Sequence, residues 1–218
     1  DLLANERQLY ILELSSFQLE TTESLNADYV TLLNISEDHM DRYASKLAYL
    51  QAKQRIFRGA KTVVINDDDT LSQPLLSSNM KVIHFGLGGQ DLKKFSITQH
   101  EGQCYLTRGF ELLIAVSELA LKGRHNLSNA LAALALGSSA GFRTDAMLAA
   151  LKMFPGLAHR CQWVGSRHGV DYINDSKGTN TGATAVAIES FGDMESGELV
   201  LIAGGDAKGA DMGLIAEP

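Results

Sequence analysis

Four short apolar runs constrain this chain more than any other feature: QLYILEL (8–14), YVTLLNI (29–35), KTVVIN (61–66) and KVIHFG (81–86). Each is nearly continuous rather than alternating. A strand with one wet face alternates apolar and polar side chains, whereas a strand covered on both faces does not. The runs therefore read as parallel strands packed between helices. Helical spacing between two of them, over 45–57, offers Leu47, Tyr49, Leu50 and Ile56 as core positions. Strands alternating with helices predict an α/β fold with a mostly parallel sheet.

The pattern then changes. Residues 95–116 read as short strands around the turn HEGQ, an antiparallel appendage. A helix is predicted over 125–141, ended by Gly141, and a second over 145–153, stopped by Pro155-Gly156. That dipeptide is the best domain boundary, giving units 1–156 and 157–218. In the second unit, 161–175 reads as a hairpin turning at His168-Gly169. A helix over 181–190 and a strand over 198–205 then open another α/β unit. No internal repeat or low-complexity segment interrupts this order.

Composition narrows the function classes. With 218 residues, 45% hydrophobic and 21% charged, the chain can bury a substantial core. Its net charge of -7, with no basic stripe, argues against a nucleic-acid partner but leaves local phosphate sites open. Cys104 and Cys161 lack metal-ligand spacing and suit a reducing compartment. No apolar run reaches membrane-spanning length, so no membrane insertion is expected. The sequence starts at Asp1 without Met and stops within DMGLIAEP, which reads as the start of a helix. Both features predict a piece of a longer protein.

Several residues are candidates for chemistry. Glu13 ends an apolar run, where a carboxylate either turns to solvent or faces a cation. Ligand sites in α/β sheets lie beyond the carboxyl ends of strands. NISEDHMDRY (34–43) follows the next run, so Glu13 would share one rim with Glu37, Asp38 and His39. Carboxylates and an imidazole around one point suggest a divalent cation, and magnesium uses few protein ligands when a phosphate supplies others. The plainer reading of 37–41 is a polar loop capping the next helix. Lys53 shares a helical face with Leu50 and Phe57, which turns it inward, where a lysine is either paired or chemically altered.

Asn126 can cap the helix that it begins, whereas Asn129 is spare, and an amide can read a purine edge. His159-Arg160 opens the second unit, with a boundary salt bridge as its plain reading. Two loops, INDSKGTNTGAT (173–184) and AGGDAKGAD (203–211), each follow an apolar run. They carry Lys177 and Lys208 beside residues that suit turns and helix starts, where free N–H groups hold anions. The phosphate-cradling pattern G-x-x-x-x-G-K-[ST] is absent, so any ATP would have its main phosphate clamp elsewhere.

ELSSFQLE, NISEDHMDRY, AKQRIF, GRHNLSNALAAL, LAHR, NDSKGTN and GGDAKGAD, in this order, resemble the Mur ligases over the whole length. ELSSFQLE and NDSKGTN point to the family's D-glutamate-adding member. The resemblance implies the later part of an ATPase-type central domain, followed by the beginning of a Rossmann-like C-terminal domain. A UDP-substrate domain and the phosphate loop would precede Asp1. It implies magnesium held by Glu13 and His39, with Lys53 carbamylated as a further oxygen ligand. Asn126 and Asn129 would lie by adenine. Arg160 and Asp175 would hold the nucleotide's phosphate and ribose. Lys177, Thr179 and Lys208 would face the reaction centre and the incoming D-glutamate. The implied reaction phosphorylates the carboxylate of UDP-N-acetylmuramoyl-L-alanine with ATP, and the D-glutamate amine then displaces phosphate. A cytoplasmic bacterial monomer is expected. A sister ligase, a folylpolyglutamate synthase-type enzyme, or a nucleotide-binding fragment silent by itself are the alternatives.

Overall fold

The computed structural model describes residues 7–36, 38–74, 80–121, 123–192, 197–206 and 212–216, with Leu214 described by its backbone only. Its frame is a six-stranded sheet whose strands lie side by side in chain order. The strands are β1 (Tyr29–Thr31), β2 (Thr62–Asn66), β3 (Lys81–Phe85), β4 (Lys94–His100), β5 (Gln103–Arg108) and β6 (Glu111–Ala115). β1 to β4 run parallel, β5 runs antiparallel to β4, and β6 antiparallel to β5. All five residues of β2 are buried, as its continuous apolar run requires.

Successive residues of β2 serve opposite faces. Val64 joins Phe85, Phe95, Leu106 and Ile114 under α3 (Arg124–Ser139), which contributes Leu131, Leu134 and Ala135. Val63 and Ile65 face the other way, towards Tyr49, Ala52 and Phe57 of α2 (Lys46–Gln54) and the 3-10 turn that continues it. The result is a sheet with helices on both faces. β3 and β4 meet only through His84↔Lys94 and Phe85↔Phe95, so the chain steps between them in a short loop without a crossover helix.

The antiparallel strands predicted over 95–116 are present, but they extend the main sheet rather than standing apart from it. They turn at Glu101 (φ 49) and Gly102 (φ 77). A separate hairpin joins β7 (Gln162–Arg167) to β8 (Val170–Asn174) through His168 (φ 54) and Gly169 (φ 77). Two successive left-handed residues make the tight turn that matches strand twist. α3 closes as predicted: Gly141 (φ 82) donates its N–H to Ser138, and Phe142 donates to Gly137. This paired bonding is the Schellman arrangement that glycine permits. α4 (Thr144–Met153) and α5 (Thr181–Gly192) complete the longer helices.

Two predicted strands are corrected. Residues 8–14 are not paired into the sheet, and Ile11 is 85% exposed. Residues 198–205 are likewise unpaired, with Ile202 94% exposed. An apolar run becomes a strand only where a neighbour takes its backbone N–H and C=O groups, and no described residue does so here. Leu47, expected in the core, is 61% exposed, while Tyr49 is buried and Leu50 and Ile56 are partly so. Among the described residues, no helix is long and apolar enough to cross a membrane.

Candidate active site

Site geometry begins just after the first apolar run. ELSSFQLE does not continue as a strand but turns into the short helix α1 (Ser16–Thr21). Ser15 accepts from the Gln18 N–H at 3.3 Å, and the Gln18 side chain accepts from the Ser15 N–H at 2.9 Å. This capping box fixes where the helix starts. At the other end, Arg55 donates to the carbonyls of Leu19 (2.6 Å) and Thr22 (3.2 Å), tying α1 to the end of α2. A cation at a helix C-terminus suits both the free carbonyls and the dipole.

The segment after β1 is held from below. Asn66 donates to the Leu33 carbonyl at 2.7 Å, and Asp69 accepts the Ile35 N–H at 2.8 Å. The chain then reaches His39, which has left-handed backbone (φ 56) and begins a turn in which its carbonyl accepts from Arg42 and Tyr43. Its ring packs 4.8 Å from Phe17 of α1. Asp38 accepts the His39 N–H at 2.9 Å and lies 3.7 Å from the His39 ring nitrogen.

Lys53 completes this rim. As its helical face predicts, it is half-buried, and its ammonium lies 5.9 Å from the centre of the Tyr49 ring. Desolvation lowers its pKa, while the charges of Glu13 and Asp38 pull it back up. Both carboxylates therefore lie within electrostatic reach of Lys53, although Glu13 itself is exposed. No group of three His, Cys, Asp or Glu side chains suited to a metal occurs among the described residues. The donors present are hard oxygens and one imidazole. This set fits magnesium, which uses few protein ligands, better than a cation needing a full protein cage.

A second feature lies at the start of α3. Leu119, Leu121, Leu151 and Phe154 line a hollow of about 120 Å³, with Asn126 and Asn129 at its polar side. Asn129 Nδ2 lies 3.5 Å from Asn126 Oδ1. An apolar slot with two amides can take a flat heteroaromatic ring and read its edge. The capping expected of Asn126 is corrected: α3 starts at Arg124, its cap is Gly123 (φ 97), and Asn126 lies in the first turn. From there it lines the hollow together with Asn129.

From the second unit, Asp175 accepts the Cys161 N–H at 2.9 Å. Burial, then the nearby Asp175 carboxylate, pushes the Cys161 thiol up to about 11, so it stays protonated. Arg160, Lys177 and Thr179 are exposed, and the Lys177 N–H donates to the His159 carbonyl at 3.1 Å. Lys208 and Glu37 lie outside the described residues. The two units meet where Asn180 Nδ2 donates to Asp38 at 3.3 Å, and where His125 Nδ1 lies 2.7 Å from Ser190 Oγ. Neither Asn180 nor His125 stands out in the sequence as a site residue. Asn180 was discoverable, because an Asn directly before a helical run is a capping signal. His125 was hidden beside the more conspicuous Asn126.

A sheet covered by helices on both faces, an amide-lined hollow at the start of α3 and a polar rim joined to a second α/β unit define a class, and sequence comparison identifies it. Residues 1–137 match the Mur ligase middle domain, and residues 159–218 match the Mur ligase glutamate ligase domain. The chain belongs to the Mur ligase family. It is 55% identical over all 218 residues to the UDP-N-acetylmuramoylalanine–D-glutamate ligase of Pseudomonas aeruginosa. It is 54% identical over the same length to that of Marinobacter nauticus. The chain spans about half the length of these curated relatives, 49% in both cases. Solved structures share the fold. A UDP-N-acetylmuramoyl-L-alanyl-D-glutamate–2,6-diaminopimelate ligase aligns with TM-score 0.59 and 24% identity, covering 82% of this chain and 39% of that one. The pseudomurein peptide ligase type C of Methanothermus fervidus aligns with TM-score 0.61 and 19% identity, covering 76% and 41%.

Proposed function

We propose that this chain is the later part of the middle domain and the beginning of the glutamate-ligase domain of a UDP-N-acetylmuramoyl-L-alanine:D-glutamate ligase. The identity of 55% over the full 218 residues to relatives of that name carries the reading. The boundary between the two parts falls at 156–157. The parent enzyme joins the D-glutamate amine to the alanyl carboxylate in the bacterial cytoplasm, as a monomer, with ATP consumed.

The site roles are those that the family resemblance implies, and the chemistry of the residues is consistent with them. Glu13, His39 and a carbamylated Lys53 are the magnesium-binding groups. Carbamylation needs a free amine, and burial of Lys53 favours that form. When bound, magnesium neutralises charge on the phosphates during phosphoryl transfer. Asn126 and Asn129 receive adenine in the hollow, with Arg160 and Asp175 on the phosphate and ribose. Lys177, Thr179 and Lys208 orient D-glutamate. Their task is to hold the amine close to the activated carboxyl, which removes much of the entropic barrier to amide formation.

The test uses the full-length protein with UDP-N-acetylmuramoyl-L-alanine, ATP and one amino acid at a time. D-Glutamate is expected to give ADP, phosphate and one ligated product. Equal turnover with meso-diaminopimelate or L-lysine would assign a sister ligase instead. The 218-residue chain alone, which carries no G-x-x-x-x-G-K-[ST] loop, is expected to release no D-glutamate-dependent phosphate.

A further inference from the structure

We infer that α5 is a two-point clasp that docks the second unit onto the first, with Asn180 as its positioning residue. Asn180 does two things at once. Its Oδ1 accepts the Ala183 N–H at 2.8 Å, capping α5, and its Nδ2 donates to Asp38 at 3.3 Å. Asp38 in turn accepts the N–H of His39. The cap of a helix in one unit is thus bonded to the loop that presents the candidate magnesium ligand in the other. Ten residues further along, roughly 15 Å of helix, Ser190 meets His125 in the first turn of α3. His125 is next to Asn126, which lines the hollow. The two ends of α5 therefore touch the two features proposed as cation rim and base pocket.

Gly182 explains how the helix comes so close. A Cβ built there would lie 2.8 Å from Ser36 Cβ, inside any real contact. Glycine costs a helix about 1 kcal/mol relative to alanine, so its place in the first turn follows from the close approach and not from helix formation. Thr181 beside it is buried. Capping, close approach and the hydrogen bond to Asp38 agree on one seat for the helix.

The effect on ligation rests on the proposed D-glutamate reading, but the docking does not. The test uses the full-length protein with three variants, Asn180→Ser, Asn180→Asp and Gly182→Ala. Serine and aspartate are both good caps, so α5 keeps its start. Serine is too short to reach Asp38, and aspartate repels it. Spin labels on the exposed positions Ala149, in α4, and Glu189 report the separation of the units. The unsubstituted protein is expected to give a single short distance, broadened in all three variants and most in Asn180→Asp. In parallel, kcat/KM for D-glutamate is expected to fall about tenfold in Asn180→Ser and further in Asn180→Asp, with the thermal midpoint nearly unchanged. Distance distributions identical to those of the unsubstituted protein in all three variants would overturn the clasp. A protein that does not ligate D-glutamate but still shows the broadening would overturn the functional reading and leave the clasp standing.

Discussion

Lys53 stands 5.9 Å from the centre of the Tyr49 ring, with Glu13 and Asp38 as its charged neighbours. The lysine is thus drawn between desolvation, which favours the neutral amine, and two carboxylates, which favour the ammonium.

The first prediction follows from that tension. Because the folded-state pKa of Lys53 is lowered, the unfolded chain binds its proton more tightly. Its penalty on folding is absent above the ordinary lysine pKa and grows as pH falls through the lowered one. Lys53→Met is therefore expected to be more stable than the unsubstituted protein near neutral pH, with the gap closing in alkali. Denaturant unfolding across that range checks it, and a constant gap would count against the charge effect. In the full-length protein, Lys53→Ala is expected to lose nearly all ligation and to recover part of it with added short carboxylates.

Much of this architecture was legible in the sequence because its cause is local. His168-Gly169 and Glu101-Gly102 announce tight turns, since few residues other than glycine tolerate positive φ. Gly141 ends α3 for the same reason. The inward turn of Lys53 could be read from the spacing of Leu50 and Phe57. What failed depended on distant partners. Residues 8–14 and 198–205 have strand composition, but strand pairing belongs to a neighbour's backbone and cannot be read from the segment itself. Asn126 looked like a cap because its type is right, yet Gly123 sits three residues earlier and starts the helix. The contact of Asp38 with Asn180 spans the boundary between units, and no local pattern encodes it.

Arg55 supplies the second prediction. Its guanidinium serves two carbonyls, those of Leu19 and Thr22, and closes α1 against the end of α2. Arg55→Ala leaves both carbonyls without this donor and is expected to cost about 2 kcal/mol. Arg55→Lys should recover only part, because an ammonium on a flexible stem does not reproduce the planar fork. Chemical denaturation of the three proteins measures it, and a lysine variant equal to arginine would show that charge alone suffices.

Asn129 separates binding from folding. It is exposed and lies at the polar side of the hollow formed by Leu119, Leu151 and Phe154. Asn129→Ala is expected to change stability by less than about 0.5 kcal/mol, as surface substitutions usually do. In the full-length enzyme it should raise KM for ATP about tenfold, the loss of one hydrogen bond, with kcat nearly unchanged. An unaltered KM for ATP would remove Asn129 from the base pocket.

His125 makes the last prediction, and its sign follows from its surroundings. The ring is half-buried between α3 and α5, and desolvation lowers its pKa despite the opposing pull of Asp175. Folded protein therefore holds the neutral imidazole, bonded to Ser190, at pH values where the unfolded chain has begun to take up a proton. The stability this contributes is complete above the ordinary histidine pKa and is lost as pH falls through the lowered one. His125→Gln removes the titration. The unsubstituted protein is expected to be more stable than the variant at neutral pH, and the difference should shrink on acidification through the histidine range. Parallel stability profiles for the two proteins between about pH 5 and 8 would mean that His125 is not held neutral by the fold.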